Sequence, residues 1–148
     1  MRKYLSFTEA WRRINAAMEG EFYFEVVTLC ESIISDRLLS YVRGVKTNST
    51  AGITTPFGTL IQEWRSLAGK NLPIHGSSDL GFAVDAWRVE RNAIIHGFAK
   101  SMPETETEPV ESFIKRAETA ATNGVLLAKA VSHWQKQKLR AHNRAKPS

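Results

Sequence analysis

Length, composition and charge limit this chain to a small set of protein classes. Its 148 residues are enough for one domain with its own core, and 43% of them are hydrophobic, as in a folded soluble protein. No apolar run approaches the length of a membrane helix, and residues 1–13 lack the apolar segment of a secretion signal. The single cysteine, Cys30, excludes an internal disulfide and a multi-cysteine zinc site. We therefore expect a cytoplasmic protein that does not contact a membrane.

The net charge of +5 is concentrated near the end of the sequence. Residues 136–148 contain five basic residues and no acidic residue, whereas residues 1–135 carry fifteen of each. We therefore divide the chain into a helical domain, residues 1–135, and a basic C-terminal tail, residues 136–148. Such a tail either attracts polyanions such as RNA or DNA without sequence preference, or is a solvated, frayed terminus.

Apolar residues recur at spacings of three and four in five segments, which predicts five helices. The predicted helices span approximately residues 8–18, 21–43, 56–68, 79–97 and 110–138. The residues expected to cap or open helices are Ser6 or Thr8, Thr55 with Pro56, and Ser78 or Asp79. Gly69 is expected to end the third helix. No strand candidate competes, so the predicted fold is all-α, a single-domain up-and-down bundle of about five helices.

The second predicted helix has a broad apolar face that contains one charged residue, Arg37. Its side chain projects between the directions of Val26 and Cys30. Because an unpaired buried charge is very costly, Arg37 must reach a carboxylate, extend to water or face a cleft. A structural ion pair and a role in a site both stay open.

The fourth predicted helix carries the strongest candidate site, in the segment WRVERNAIIHGF, residues 87–98. Arg91 and His96 stand five apart, and Asn92 directly follows the arginine. A guanidinium can bind phosphate and an imidazole can transfer protons near neutral pH, which suits metal-free phosphodiester chemistry. The two side chains are about 140° apart around the helix, so a site needs a second surface, such as a second copy related by a twofold axis.

Structural roles for the same residues also stay open. Arg91 could be an ion-pair partner for Glu31, Asp36 or Asp85, and His96 with Gly97 could form the C-terminal cap of the helix. A polar arc at spacings of three and four continues to the helix end; its members are Asp85, Arg88, Asn92 and His96. His75 is expected to be a surface histidine.

The motif R-N-x-x-x-H-G at a helix end resembles the signature of HEPN domains. The preceding helix, CESIISDRLLSYV, resembles the acidic, arginine-containing helix that packs against the motif helix in that family. The resemblance spans roughly residues 20–135 and is specific in those two segments. It implies a homodimeric, metal-independent endoribonuclease with no cofactor, in which Arg91 and His96 are the catalytic residues.

The resemblance also implies roles and partners. His96 would transfer the proton of a ribose 2′-hydroxyl or of the leaving 5′-oxygen, Arg91 would neutralise the phosphate, and cleavage would leave a 2′,3′-cyclic phosphate. The supporting residues would be Asn92, Arg88, Arg37 and Asp85. Such a protein would act as a toxin or phage-defence effector, and its antitoxin could be a minimal nucleotidyltransferase. The alternatives are an inactive HEPN module that binds a nucleotide or a partner protein, and a nucleic-acid binder that acts through its basic tail.

Overall fold

The computed structural model describes residues 2–69, 79–99 and 109–145, and within these ranges the chain is built from five α-helices. The helices are α1 (Arg2–Glu19), α2 (Tyr23–Val45), α3 (Phe57–Ala68), α4 (Leu80–Ala99) and α5 (Val110–Ala145). The all-α prediction is therefore confirmed. In the part of the chain that the structure describes, no helix is long and apolar enough to cross a bilayer. The predictions for His75 and for Ser78 as a cap lie outside the described residues.

Two of the predicted helix ends are confirmed. Gly69 follows α3 with φ 81°, a backbone conformation that favours glycine. Asp79 caps α4, because its Oδ1 accepts a hydrogen bond of 2.8 Å from the backbone N–H of Gly81. The other end of α4 differs from the prediction. The helix continues through Gly97 to Ala99, so Gly97 is a helical residue and not the cap.

The last helix is longer than its sequence pattern predicts. α5 continues to Ala145, so residues 136–145 of the predicted basic tail are helical turns. Leu139 holds this extension against α2, since a methyl group added at Gly44 would lie only 2.9 Å from its Cδ2. One apolar residue among charged neighbours is too weak a periodic signal to predict a helix.

The core is organised around α2, which packs against α1, α3 and α5. Cys30, near the middle of α2, is fully buried, and this burial raises the pKa of its thiol to about 12. Gly124 allows α5 to approach closely, because a Cβ there would lie 2.8 Å from Cζ2 of Trp87 and 3.2 Å from Cβ of Cys30. Trp87 in turn donates a hydrogen bond of 2.8 Å from its indole nitrogen to the carbonyl oxygen of Ala120. These contacts fix the position of α4 on the bundle.

The contacts between aromatic rings show the direction in which each helix runs. Phe57, at the start of α3, packs edge-on against Trp87, which lies beside Cys30 in the middle of α2. Trp64, one helical turn from the end of α3, packs against Trp134, which also contacts Tyr41 near the end of α2. Helices α2 and α3 therefore run in the same direction, and residues 46–56 return the chain along α2. The bundle is up-and-down except at this connection.

Helices α4 and α5 run in opposite directions. Gly97, near the end of α4, lies beside Phe113, near the start of α5, while Trp87 lies over Gly124 further along α5. The ring of Phe113 also packs at a tilt against the ring of Phe24, at the start of α2, with the two centroids 6.2 Å apart. The end of α4 that carries His96 is therefore at the same end of the bundle as the beginnings of α2 and α5.

Candidate functional site at the end of α4

Arg91 is joined to Glu31 by an ion pair that links α4 to α2. Its Nε donates a hydrogen bond of 2.9 Å to Oε2 of Glu31, and its Nη2 donates to the same oxygen. The two side chains are 22% and 18% exposed, so the pair is only partly accessible to water. Glu31 was one of the three carboxylates that the sequence suggested as partners.

Asn92 also holds the guanidinium of Arg91. Its Oδ1 accepts a hydrogen bond from Nη1 of Arg91. The three hydrogen bonds to Glu31 and Asn92 engage three of the five N–H groups of the guanidinium, so it can donate two more. Arg91 is therefore fixed in orientation and still able to bind an anion.

Asp85 and Arg88 lie together on the side of α4 that faces α3. Arg88 donates from Nε to Oδ1 of Asp85 at 3.0 Å, and Arg65 of α3 lies 3.9 Å from the other carboxylate oxygen. The side chain of Arg88 passes over Gly58, which leaves room for it. The carboxylate of Asp85 is therefore shared by two guanidinium groups. Both residues are on the helix of the motif, but they pair with each other and with α3.

Arg37 is not brought to the motif. It lies six residues from Glu31 on α2, about 120° around the helix. Its guanidinium carbon stacks over the ring of Phe7 in α1, 4.0 Å from the ring centroid. Burial lowers the pKa of this guanidinium, and its Nε has no hydrogen-bond partner among the described residues. The packing on an aromatic ring differs from both alternatives that the sequence suggested.

His96 is exposed on the outer face of α4. Arg91 points to the inner side, where it meets Glu31, as the helical spacing predicts. Within one chain the two residues therefore do not form a reaction centre. Any shared site needs a surface from a second molecule.

The outer face of α4 also carries an exposed apolar surface that the sequence reasoning missed. Phe82 is 60% exposed and Val89 is 56% exposed, although both are large apolar residues. With two exposed alanines they form a line at spacings of four and three that ends at the histidine; the members of this outer stripe are Phe82, Ala86, Val89, Ala93 and His96. The spacing is visible in the sequence, but only the packing of Trp87 and Ile94 in the core shows that this face points outward.

Glu31 also borders a pocket on the side of α2 away from the core. The pocket has a volume of about 450 Å³ and lies between α2 and the return segment 46–56 with the start of α3. Hydroxyl groups line much of it, from Thr28, Ser32, Ser35 and Thr55, together with the carboxylate of Asp36. Among the residues whose positions the structure gives, no three His, Cys, Asp or Glu side chains gather as metal ligands.

Comparison with known proteins finds no relative of this chain. No protein-family model, no curated protein and no solved structure matches the chain. The candidate site therefore rests on its own geometry and on the resemblance of its motif.

Proposed function

We propose that this protein is a metal-independent endoribonuclease whose site is completed when two copies pair through their outer stripes. One observation carries the proposal: the outer stripe of α4 is exposed and apolar, and it ends at His96. Exposed apolar patches on a folded surface mark interaction sites. A partner that covers this line would also cover the imidazole, and a second copy would bring a second imidazole with it.

The outer stripe has the spacing of a helix-pairing seam. Positions at intervals of four and three stay on one face of a helix and pack into a facing helix in coiled coils. Ala86 and Ala93 are small, so they allow a close approach, while Phe82 and Val89 supply apolar area. Val89 lies at the centre of the stripe, which is where a twofold axis would pass.

In the proposed mechanism, RNA supplies its own nucleophile. One His96 takes the proton of the ribose 2′-hydroxyl, the 2′-oxygen bonds to phosphorus, and the bond from phosphorus to the 5′-oxygen breaks. The leaving 5′-oxygen takes a proton from water, the imidazolium returns its proton to the solvent, and a 2′,3′-cyclic phosphate remains. In a pair inverted about Val89 the two His96 side chains are about 21 Å apart along the helices, so each belongs to its own site. Arg91 lies on the opposite side of α4, where Glu31 and Asn92 hold it, so its two remaining N–H groups bind a phosphate further along the strand and not the one that is cleaved. DNA has no 2′-hydroxyl and is not cut by this route.

The test is incubation of the purified protein with total RNA in the presence of a chelator. We expect defined RNA species to disappear, and His96→Ala to lower the rate by at least ~100-fold, the usual contribution of a general acid–base group. His142→Ala removes another histidine, near the end of α5, and should leave the rate unchanged. Circular dichroism and light scattering show whether each variant keeps its helix content and mass. Full cleavage by the His96→Ala variant, or equal losses in both variants, would overturn the mechanism.

A second candidate function is a non-cleaving HEPN-like module that binds a partner protein or a nucleotide in a toxin–antitoxin or defence complex. The ion pair between Arg91 and Glu31 favours this second function, because a guanidinium whose charge is balanced by a carboxylate can have a purely structural role. Expression of the chain by itself separates the two functions. Growth arrest that depends on His96, and relief by a co-expressed antitoxin such as a minimal nucleotidyltransferase, supports the ribonuclease. Harmless expression with partner binding and no RNA turnover supports the module.

A further inference from the structure

The last turns of α5 carry a line of basic side chains on one face. The exposed residues recur at spacings of four, three, four and four; the members of this basic stripe are Lys129, His133, Lys136, Arg140 and Arg144. At 100° per residue they fall within an arc of about 80°, and at 1.5 Å per residue they extend over about 22 Å. The stripe is a feature of a helix, since α5 continues to Ala145.

The charge of the basic stripe is not neutralised within the described chain. No acidic residue follows Glu118 in the sequence. Within the described ranges, no carboxylate lies at ion-pair distance from the lysines and arginines of the stripe, and Nζ of Lys129 lies over the ring of Trp11, 5.7 Å from its centroid. In contrast, Arg12 and Arg13 on α1 both bind Glu9.

The other face of α5 limits what the basic stripe can bind. Val131, Trp134 and Leu139 pack into the bundle. This apolar face is not free to enter a lipid surface, as a membrane-binding amphipathic helix requires. Trp134 is buried, so α5 offers no aromatic ring on which a base could stack in this region. What remains is a rigid row of cations, which suits the phosphates of a nucleic-acid backbone without sequence preference.

We propose that the basic stripe is a binding surface for the phosphate backbone of RNA, separate from Arg91 and His96. This proposal rests on the proposed function, because it assigns the surface that holds the RNA substrate. Binding is measured without cleavage, so that either proposal can fail alone. The stripe holds the strand through charge, and it does not select bases.

The experiment uses the full chain with His96→Ala, in chelator, and a fluorescein-labelled unstructured RNA followed by fluorescence anisotropy. The stripe variant carries Lys136→Gln, Arg140→Gln and Arg144→Gln; glutamine is a good helix former, so α5 keeps its helix. We expect at least ~10-fold weaker binding, and a slope of log affinity against log salt that is smaller by about 2, from three lost phosphate contacts on a single strand.

The control variant carries Arg12→Gln, Arg13→Gln and Lys115→Gln, which removes the same charge from exposed positions outside the basic stripe. It should bind RNA within about 2-fold of the parent and keep its salt slope. Equal weakening of both variants, or an unchanged stripe variant, would overturn the proposal. So would preferential binding of the stripe to phosphatidylserine vesicles with no measurable affinity for RNA.

Discussion

Arg91 shows how one guanidinium can join two helices and still keep two N–H groups that neither Glu31 nor Asn92 engages. Its bond to Glu31 joins α2 and α4, and Asn92 fixes the plane of its guanidinium. The sequence left a carboxylate partner open as the structural alternative to a catalytic role for Arg91. It could not select Glu31 from three candidates, since that choice depends on how α2 lies across α4.

The strength of this ion pair can be measured with a double-mutant cycle of Arg91→Ala and Glu31→Ala. We expect a coupling free energy of about 1–2 kcal/mol from urea unfolding, because the hydrogen bonds are charged and partly shielded from water. The exposed pair of Arg12 and Glu9 is the control, and its coupling should be much smaller. Equal couplings for the two pairs would show that the inner position of Arg91 adds nothing to stability.

The buried thiol of Cys30 should make the stability of the folded protein depend on pH in the alkaline range. Burial raises the pKa of its thiol from about 9 to about 12 in the folded protein. Above pH 9 the unfolded chain ionises this thiol while the folded chain does not, so stability that is present below pH 9 falls as pH rises towards 12. The fall attributable to Cys30 is at most about 1.4 kcal/mol for each pH unit.

Thermal unfolding between pH 8 and 11 tests this dependence. Cys30→Ala should have a shallower fall of Tm with pH than the parent protein. Tyr41, whose pKa burial also raises, is present in both proteins and cancels in the comparison. Parallel curves for the two proteins would contradict the prediction.

At the scale of whole elements, α4 illustrates what periodicity can and cannot establish. The polar arc through Asp85, Arg88 and Asn92 was visible in the sequence, and so was the apolar side formed by Val84, Trp87 and Ile94. The outer stripe was missed because alanines and a few isolated apolar residues also occur on ordinary solvated faces. Its importance follows from the exposure of Phe82 and Val89 in the folded chain.

Val89→Glu tests whether α4 pairs with a second copy. In a twofold pair the two introduced carboxylates would lie close together at the axis, and we expect the dimer Kd to rise by at least ~100-fold, since like-charge contacts cost several kcal/mol. Light scattering after gel filtration measures the change. Leu126→Glu on α5 is the matched control, because Leu126 is similarly exposed, at 62%, but lies outside the outer stripe. A monomeric parent protein, or dimer loss in both variants, would rule out pairing through this face.

At the scale of the whole molecule, the number and class of elements could be predicted from the sequence, whereas the direction of α3 could not. Caps and glycines mark where helices end, as Asp79 and Gly69 show. The segment between α2 and α3 is polar and has turn residues, features that predict a loop without showing its path. Its return along α2 is fixed by the packing of Phe57 against Trp87. The separation of Arg91 and His96 across the helix was predicted from their spacing, and the contact of Arg91 with Glu31 agrees with it.

The antiparallel course of α4 and α5 has a consequence for how a strand of RNA would be handled. His96 lies near Phe113, at the start of α5, and Lys136 lies about 35 Å further along that helix. The imidazole and the centre of the basic stripe are therefore at opposite ends of one chain. In a twofold pair joined through Val89, the partner's α4 runs in the opposite direction, which places the partner's basic stripe at the same end of the dimer as the first chain's His96. In the proposed assembly each subunit would therefore grip the strand that its neighbour cuts.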